Sequence, residues 1–429
     1  MKPALVATSM LASTFVSAFG HGGEVLWAQG IIVGAGSIGF LCLAFEKSVQ
    51  WPLAVRMAAF SWLALVSWTL FQTLPFGIAE HPSWELARSI DGTLGPGTIA
   101  NDPQATLDAT LRLAAYAGLF AVGYSVCTAQ HLWLLALAAG IGCVAVLGLL
   151  ADPVMTGPAG LAKVRHAGDT AYPFANRNHF CIFAGVGIVI TLGALTDMRA
   201  WQGWRSVAHC CILAICLVAV LSSHSRSGLA AVVMGSAVCC WCIRINAQRL
   251  AILIAAGLGL AAVFAIGTIV RFDSTLADWD VRFEIMTTAW ELVWQYPWTG
   301  VGSFDLAVPS VAPGSWPALV QSAHNIVLES LVERGFPATL LSCIAIALIM
   351  GQCARSIRSG SAGKVRNATA LGVTTMVLLH GMVDFSVHSP TIAALVAIIL
   401  GLGAGQGQAP VFTSPITLAS GNPSAGARA

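Results

Sequence analysis

The sequence predicts an all-α polytopic membrane protein with about twelve transmembrane helices (eleven to twelve) and one large outer loop that carries short helices. Apolar residues make up 57% of the 429 residues, and charged residues only 9%. Soluble domains carry about 25% charged residues, so the composition excludes an ordinary soluble protein. Apolar runs of about 20 residues, long enough to cross a bilayer as a helix, recur along the chain. Lys and Arg are also concentrated in alternate loops, as in multi-pass proteins.

The apolar runs define twelve predicted spans: 4–20, 25–45, 55–76, 108–127, 131–150, 179–197, 206–222, 227–243, 250–270, 336–353, 368–387 and 389–404. The first run is also compatible with a cleaved secretory signal. Lys2 precedes a short apolar stretch there, and Val16-Ser17-Ala18 suits a signal peptidase. Cleavage would leave the later spans in the same orientation.

The loops alternate in charge. With the N-terminus in the cytoplasm, the cytoplasmic segments hold twelve Lys and Arg residues and two acids, whereas the outer segments hold nine and seventeen. Because cationic loops are retained in the cytoplasm during insertion, this asymmetry predicts that both termini are cytoplasmic.

The outer segments 77–107 and 271–335 are long. In the second, Asp280 is predicted to cap a helix that ends near Tyr296 and is stopped by a proline. A glycine turn follows. A second short helix is then predicted from Ser322, as its N-cap, to Gly335, as its left-handed C-terminal residue. The tail 405–429 is rich in Gly, Ala, Pro and Ser, which predicts disorder.

Three of the arginines predicted on the outer face, where the insertion bias disfavours cations, are candidates for anion binding. Arg226 lies in the short polar stretch SSHSRSG between two apolar runs, and Arg177 and Arg282 are the other two. An arginine stays protonated and presents a planar fork of donors that suits phosphate oxygens. The alternative for Arg226 is a span-end arginine that extends towards lipid headgroups.

His324 is predicted in the first turn of the second loop helix, where free backbone amides favour an anion. A neutral imidazole there can accept a proton, although an exposed loop histidine is the simpler alternative. Asn176, Arg177 and Asn178, followed by His179, stand at the entrance of a span. Asn178 is predicted to cap that helix, a role that does not exclude substrate binding.

His380, Asp384 and His388 are spaced four residues apart, so they share one helix face if the helix of the eleventh span continues. This spacing permits a metal site, a proton relay or a structural carboxylate that holds two neighbours. Several loop acids are general-base candidates, but their spacing favours solvated helix faces: Glu284, Glu291, Glu329 and Glu333. The twelve cysteines lie in or beside apolar runs, and we interpret them as small apolar residues.

Five motifs occur in a characteristic order. They are Asn-x-Asn-His at a span entrance, Ser-x-Ser-Arg-x-Gly between spans, Arg-Phe before a helix that ends in Pro-x-x-Gly-x-Gly, Ala-His-Asn followed by Glu and Arg-Gly, and a late Val-Asp. In this order they resemble the O-antigen ligase and polysaccharide polymerase superfamily of bacterial membrane glycosyltransferases. The resemblance covers about residues 170–390. It implies a transmembrane ligase-like domain over 1–404, with the periplasmic loop 271–335 inside it.

Members of this superfamily transfer a glycan from undecaprenyl diphosphate to an acceptor hydroxyl at the periplasmic face of the bacterial inner membrane. The resemblance implies that His324 is catalytic and that Arg226, Arg282 and Arg177 bind the diphosphate. It gives supporting roles to Asn176, Asn178, Asn325 and Asp384.

The resemblance also implies the partners. These are an undecaprenyl-diphosphate-linked glycan donor, a glycan or lipid A-core acceptor, and membrane lipids, with no nucleic acid and no cofactor. Arginines would replace the divalent metal that many nucleotide-sugar transferases use, so the transfer is expected to be metal-independent. It is expected to invert the sugar C1, because the acceptor hydroxyl would attack from the side opposite the diphosphate. The sequence leaves open whether the protein is a ligase, a polymerase or a protein oligosaccharyltransferase. The rival class is a transporter or flippase for an anionic or lipid-linked solute, which predicts cations buried in the middle of spans.

Overall fold

The structure is a computed structural model that describes residues 3–44, 51–92, 95–155, 171–196, 203–244, 272–303, 306–308, 318–320, 322–360 and 363–405. The predicted span 250–270 and all but the first residue of the predicted tail lie outside these ranges.

The described residues form thirteen α-helices. In chain order they are α1 (Pro3–Ala18), α2 (Leu26–Ala44), α3 (Leu53–Gln72), α4 (Ser83–Ile90), α5 (Pro103–Ser125), α6 (Gln130–Met155), α7 (Arg177–Thr196), α8 (Trp204–Ser222), α9 (Arg226–Ile243), α10 (Phe272–Gln295), α11 (Ile326–Arg358), α12 (Lys364–Gly381) and α13 (Pro390–Ala404).

A helix occupies each predicted span that falls within the described ranges. Among the described helices, seven are long and apolar enough to cross a membrane on their own: α3, α5, α6, α7, α8, α9 and α11. The chain is therefore a helical membrane protein, and the total of eleven to twelve spans stays a prediction. The helices form because long apolar runs in a bilayer can satisfy their backbone groups only by internal hydrogen bonds.

Helix α7 lies at the centre of the bundle. Phe180, Phe183 and Ile190 have no exposed surface, and α7 packs against α6, α8, α9 and α12. The residues at the entrance of α7 are therefore held in the middle of one end of the bundle.

The hydrogen bonds between helix ends agree with the predicted alternation of the loops. At one end, Arg366 donates from Nη1 to the Cys127 carbonyl at 2.8 Å, and Lys364 donates to the Ile243 carbonyl at 2.9 Å. All four residues were predicted at or near the cytoplasmic face. At the opposite end, Asn101 donates from its backbone to the Val301 carbonyl at 2.9 Å, and both residues were predicted outside. We call this second end the outer end.

The large loop differs from its prediction in two details. Helix α10 begins at Phe272, so Asp280 lies inside the helix and is not its N-cap. A two-stranded antiparallel hairpin, absent from the prediction, pairs β1 (Leu306–Val308) with β2 (Ala318–Val320). Each strand has only three residues, too few for a period-two pattern to be visible in the sequence.

The second loop helix and the following span form a single element, α11, that breaks at Gly335. This glycine has φ 74° and ψ 175°. The positive φ agrees with the prediction, but the ψ lies outside the left-handed helical region that was expected. The segment before the break packs against the preceding loop, where the Val301 amide donates to the Val332 carbonyl at 2.9 Å.

Gly335→Ala is expected to destabilise the protein by about 1–3 kcal/mol, because this backbone region is essentially restricted to glycine. A Cβ there would also lie 2.5 Å from the Trp298 carbonyl oxygen. The measurement is the thermal unfolding midpoint in detergent. Gly351→Ala is the matched control, since the nearest atom to its Cβ is 3.8 Å away at the end of the Arg355 side chain. Equal unfolding midpoints for the two variants would contradict the role of Gly335.

Candidate active site

Most of the predicted site residues meet at the turn Met382–Ser389, which connects α12 to α13 at the outer end. Side chains from three other parts of the chain bind this turn: Arg282 of α10, Asn178 at the start of α7, and Asn325 at the start of α11. The turn thus joins segments that are far apart in sequence. The late Val-Asp motif forms its centre.

Arg282 contacts the Met382–Ser389 turn at two points. Its Nη1 donates to the Val383 carbonyl at 2.9 Å, and its Nη2 lies 3.9 Å from Asp384 Oδ2. The Asp384 side chain has no exposed surface, whereas that of Arg282 is 26% exposed. A buried carboxylate needs such a partner. The guanidinium is therefore anchored on one side and keeps an accessible side for another anion.

Asp384 also orients the entrance of α7. Asn178 donates from Nδ2 to Asp384 Oδ2. The capping oxygen of α7 comes instead from Asn176, whose Oδ1 accepts from the Asn178 amide at 2.8 Å. The prediction that Asn178 is the cap was wrong, because its side chain is engaged with a residue far away in sequence.

Asn325 is the N-cap of α11, in place of the predicted Ser322. Its Oδ1 accepts from the amides of Val327 and Leu328 at 3.1 and 3.0 Å. Its Nδ2 donates to the Met382 carbonyl at 3.1 Å. Asn325 thereby ties the start of α11 to the Met382–Ser389 turn.

His324 lies just before α11, not in its first turn. Its backbone is left-handed, with φ 53°, and its amide donates to Ser322 Oγ at 3.1 Å. The centre of its ring is 5.0 Å from that of Phe385, with the two rings edge to face. Arg282 thus pairs with Asp384, and His324 contacts the next residue of the same turn, Phe385.

Glu329 holds the backbone around His324. Its side chain is 2% exposed, and its Oε2 accepts from Ser322 Oγ at 2.9 Å and from the Ala323 amide at 3.1 Å. Its Oε1 contacts His388 Nε2. The interpretation of Glu329 as a solvated acid was wrong, because the Met382–Ser389 turn folds over this face of α11. A glutamate five residues after the catalytic candidate was the only sequence signal for this role.

His380, Asp384 and His388 do not share a helix face, because α12 ends at Gly381. His380 Nδ1 lies 2.9 Å from Ser386 Oγ, whereas the other two residues contact Asn178 and Glu329 as described. Within the described part of the chain, no three His, Cys, Asp or Glu side chains are grouped as a metal site requires.

Arg226 and Arg177 both lie at the outer end, each as the first residue of a helix. Arg226 begins α9 and is exposed, and Ser225 caps this helix by accepting from the Gly228 amide at 3.1 Å. Its neighbour Ser227 has its hydroxyl 3.4 Å from His380 Nε2, so the start of α9 adjoins the end of α12. Helix starts favour anions through their free amides. Arg177 therefore adjoins the Met382–Ser389 turn through Asn178, and Arg226 adjoins the end of α12 through Ser227.

The protonation states around the turn follow from burial and neighbouring charges. Burial, together with the charge of Arg282, lowers the pKa of His324 below its ordinary value, although Asp384 and Glu329 oppose this shift. The His324 Nδ1 is buried and has no hydrogen-bond partner among the described residues, which also disfavours the protonated ring. His324 is therefore a neutral imidazole at neutral pH.

Two ion pairs lie beside His324, one between Asp384 and Arg282 and the other between Glu329 and His388. Burial would raise the pKa of the Asp384 carboxyl, but the neighbouring histidines, the Phe385 amide and Arg282 lower the pKa below its ordinary value. Burial would likewise lower the pKa of His388, but the contacting Glu329 carboxylate raises it. A neutral histidine thus lies between two ion pairs.

These features define a polytopic membrane protein with a cation-containing polar site at one end of its helix bundle. A family model described as O-antigen ligase matches residues 211–343, a segment that includes Arg226, Arg282 and His324. This match supports the O-antigen ligase superfamily, and the resemblance found in the sequence is confirmed. The match spans less than half of the chain and indicates an enzyme of O-antigen ligase type in polysaccharide biosynthesis. No curated protein matches the chain.

Proposed function

We propose that the protein is an envelope glycosyltransferase, an O-antigen ligase or polysaccharide polymerase. In this proposal it moves a glycan from an undecaprenyl-diphosphate donor to an acceptor hydroxyl at the periplasmic face of the inner membrane. One observation carries the proposal: Arg282 and His324 meet at the same turn, through Asp384 and Phe385. A phosphate-binding cation and a proton acceptor are the two groups that such a transfer needs.

The arginines act on the leaving group. When the acceptor oxygen bonds to C1 of the donor sugar, the bond between C1 and the phosphate oxygen breaks, and its electron pair stays on the diphosphate. Fixed guanidinium groups stabilise that developing charge more in the transition state than in the ground state. Arg282 is pre-positioned for this task by the Val383 carbonyl and Asp384. Arg226 and Arg177 complete the proposed diphosphate site.

His324 takes the proton of the acceptor hydroxyl. It is neutral before the reaction, and the nearby carboxylates of Asp384 and Glu329 stabilise the imidazolium that forms. Attack opposite the diphosphate inverts the configuration at C1. Asn176 and Asn178 have the supporting role of positioning Asp384, and Asn325 that of positioning His324.

The position of the cations supports a transferase over a transporter. Arg282 and His324 lie on segments at the outer end, and Arg226 and Arg177 are the first residues of helices there. A translocation path would need such groups in the middle of the spans. The test is to supply proteoliposomes with lipid-linked donor and acceptor. A new glycosidic bond should form, with and without EDTA. Transmembrane movement of the donor without bond formation would refute the proposal.

The acidic decline of the transfer rate is expected to be centred below 6.5, the ordinary pKa of histidine. The reason is that the active form of His324 is neutral, and a lowered pKa preserves that form at lower pH. The measurement is the pH profile of the transfer rate at saturating donor and acceptor.

Glu329→Gln provides a second test of this profile, with Glu291→Gln as its control. The Glu329 charge raises the pKa of His324, so its removal is expected to move the acidic decline to still lower pH, whatever happens to the maximal rate. Glu291→Gln alters an exposed acid of α10 and should leave the decline in place. A wild-type decline centred at or above the ordinary histidine pKa would contradict the role of neutral His324.

A further inference from the structure

Helix α10 has three distinct faces along its described side chains. Ile285, Ala289 and Val293 are buried and pack against the first segment of α11. At about 100° per residue, two other strips run beside this packed face. One is polar and carries Glu284, Glu291 and Gln295. The other, which we call the aromatic strip, carries Phe283, Trp290 and Trp294 and continues to Trp298 just beyond the helix.

The aromatic strip is exposed. The four aromatic side chains keep 69%, 46%, 61% and 70% of their surface accessible, in chain order. Trp290 and Trp294 contact each other edge to face, with ring centres 5.7 Å apart. The only polar side chain on the strip, Thr287, is satisfied within the helix, since its hydroxyl donates to the Phe283 or Glu284 carbonyl at 3.0 or 2.8 Å.

The strip is continuous with the exposed face of a membrane-spanning helix. The ring centre of Trp294 lies 6.2 Å from that of Phe336, where α11 turns into its span. Leu340 and Ile344 follow on the same face of α11 and are 60% and 38% exposed. Exposed leucine and isoleucine within a candidate membrane span face lipid. Because the aromatic strip extends this row, it meets the same bilayer at its outer edge.

We propose that α10 lies along the membrane–water interface at the outer end of the bundle, with its aromatic strip bound to the lipid bilayer and its polar strip in water. Tryptophan suits this position because its ring is apolar and its N–H can reach headgroups. A sugar-binding platform is the less consistent alternative, because it would not account for the continuity of the rings with the lipid-facing row of α11.

One consequence rests on the proposed function. Arg282 adjoins Phe283 but lies on the packed side of α10, so the lipid contact of the strip fixes its depth. Arg282 is thereby held at the level of headgroup phosphates, where the diphosphate of a lipid-linked donor also lies. A soluble sugar nucleotide would have no need of such placement.

The test is fluorescence quenching of the full-length protein in vesicles of phosphatidylethanolamine and phosphatidylglycerol. Trp290, Trp294 and Trp298 are changed together to phenylalanine, and the emission of this variant is subtracted from that of the wild type. The result, the difference emission, comes from these three tryptophans. Lipids brominated near the headgroup are expected to quench most of this difference emission, and lipids brominated at the chain end and aqueous iodide much less. Trp84→Phe is the matched control. Its indole donates to the Ala100 carbonyl, and its difference emission should be insensitive to bromolipid.

Phe283→Trp supplies a variant that leaves the three tryptophans in place, in case the triple change impairs folding. Its added emission should be quenched by the same shallow bromolipid. Quenching of the difference emission by iodide alone would place the strip in water and overturn the proposal. Quenching by neither agent would mean that protein covers the strip, as in a complex of two copies, and would overturn it equally. None of these readouts uses glycan transfer, so the proposed activity and the lipid contact can fail separately.

Discussion

Arg282→Ala is expected to lower the rate of glycan transfer by about a hundred- to a thousandfold, the effect of removing one fixed donor from a transition-state oxyanion. The loss should appear mainly in kcat, because the guanidinium stabilises the leaving diphosphate more than the bound donor. Arg282→Lys keeps the charge but cannot contact the Val383 carbonyl, Asp384 and a phosphate together. It should therefore recover only part of the rate. The measurement is steady-state transfer in proteoliposomes with matched protein levels.

Arg88→Ala is the control for this experiment. Arg88 also lies in a segment predicted outside, but it is on α4, which has no buried residues, and it is paired with Glu80, so its loss should leave transfer unchanged. Arg226→Ala is expected to resemble Arg282→Ala, because both side chains are assigned to the same diphosphate. Full activity in a folded Arg282→Ala or Arg226→Ala protein would rule out the diphosphate role of that residue.

The sequence predicts the helices, and which of their ends lie together, for a simple physical reason. A bilayer accepts little besides long apolar helices, so composition alone fixes where they lie. Loop charge then predicts which ends meet, and the Arg366 bond to the Cys127 carbonyl joins two segments predicted at or near the cytoplasmic face. These rules depend on the length of each apolar run and on the charge of each loop, and both can be read from the sequence.

The site was predicted less completely, because its contacts join segments that are remote in sequence. Asn178 suits a helix cap by local rules, yet Asp384 lies 206 residues away and engages it. Glu329 has the spacing of a solvated helix residue, but the Met382–Ser389 turn buries it against His388. The helix was expected to carry Asp384 and His388 on one face. The break at Gly381 instead directs each to its own partner. Local pattern identified the residue types, and only the tertiary fold determined their partners.

His324→Ala is expected to lower transfer by about a hundred- to ten-thousandfold, the usual contribution of a general base. This variant alone does not separate proton transfer from backbone conformation, because His324 has a positive φ. His324→Asn makes that distinction, since asparagine tolerates left-handed backbone and retains hydrogen bonding but cannot accept a proton in this pH range. If His324 is the base, both variants should lose kcat to a similar extent while the KM for the donor changes little.

His81→Ala is the matched control, because His81 lies in the other long outer segment, where its ring bonds to Ser83 and contacts Tyr296. Its transfer rate should equal that of the wild type. Added imidazole offers a further test, since a small base that enters the vacated space of His324→Ala should restore part of the rate, with a pH dependence set by free imidazole.

The decisive comparison is that between His324→Asn and His324→Ala. Near-normal transfer in His324→Asn, with loss only in His324→Ala, would show that this position serves the backbone and hydrogen bonding of the site. The proton would then have to leave through another group, for which the buried His179 is a candidate, since its ring centre lies 4.9 Å from that of Phe385.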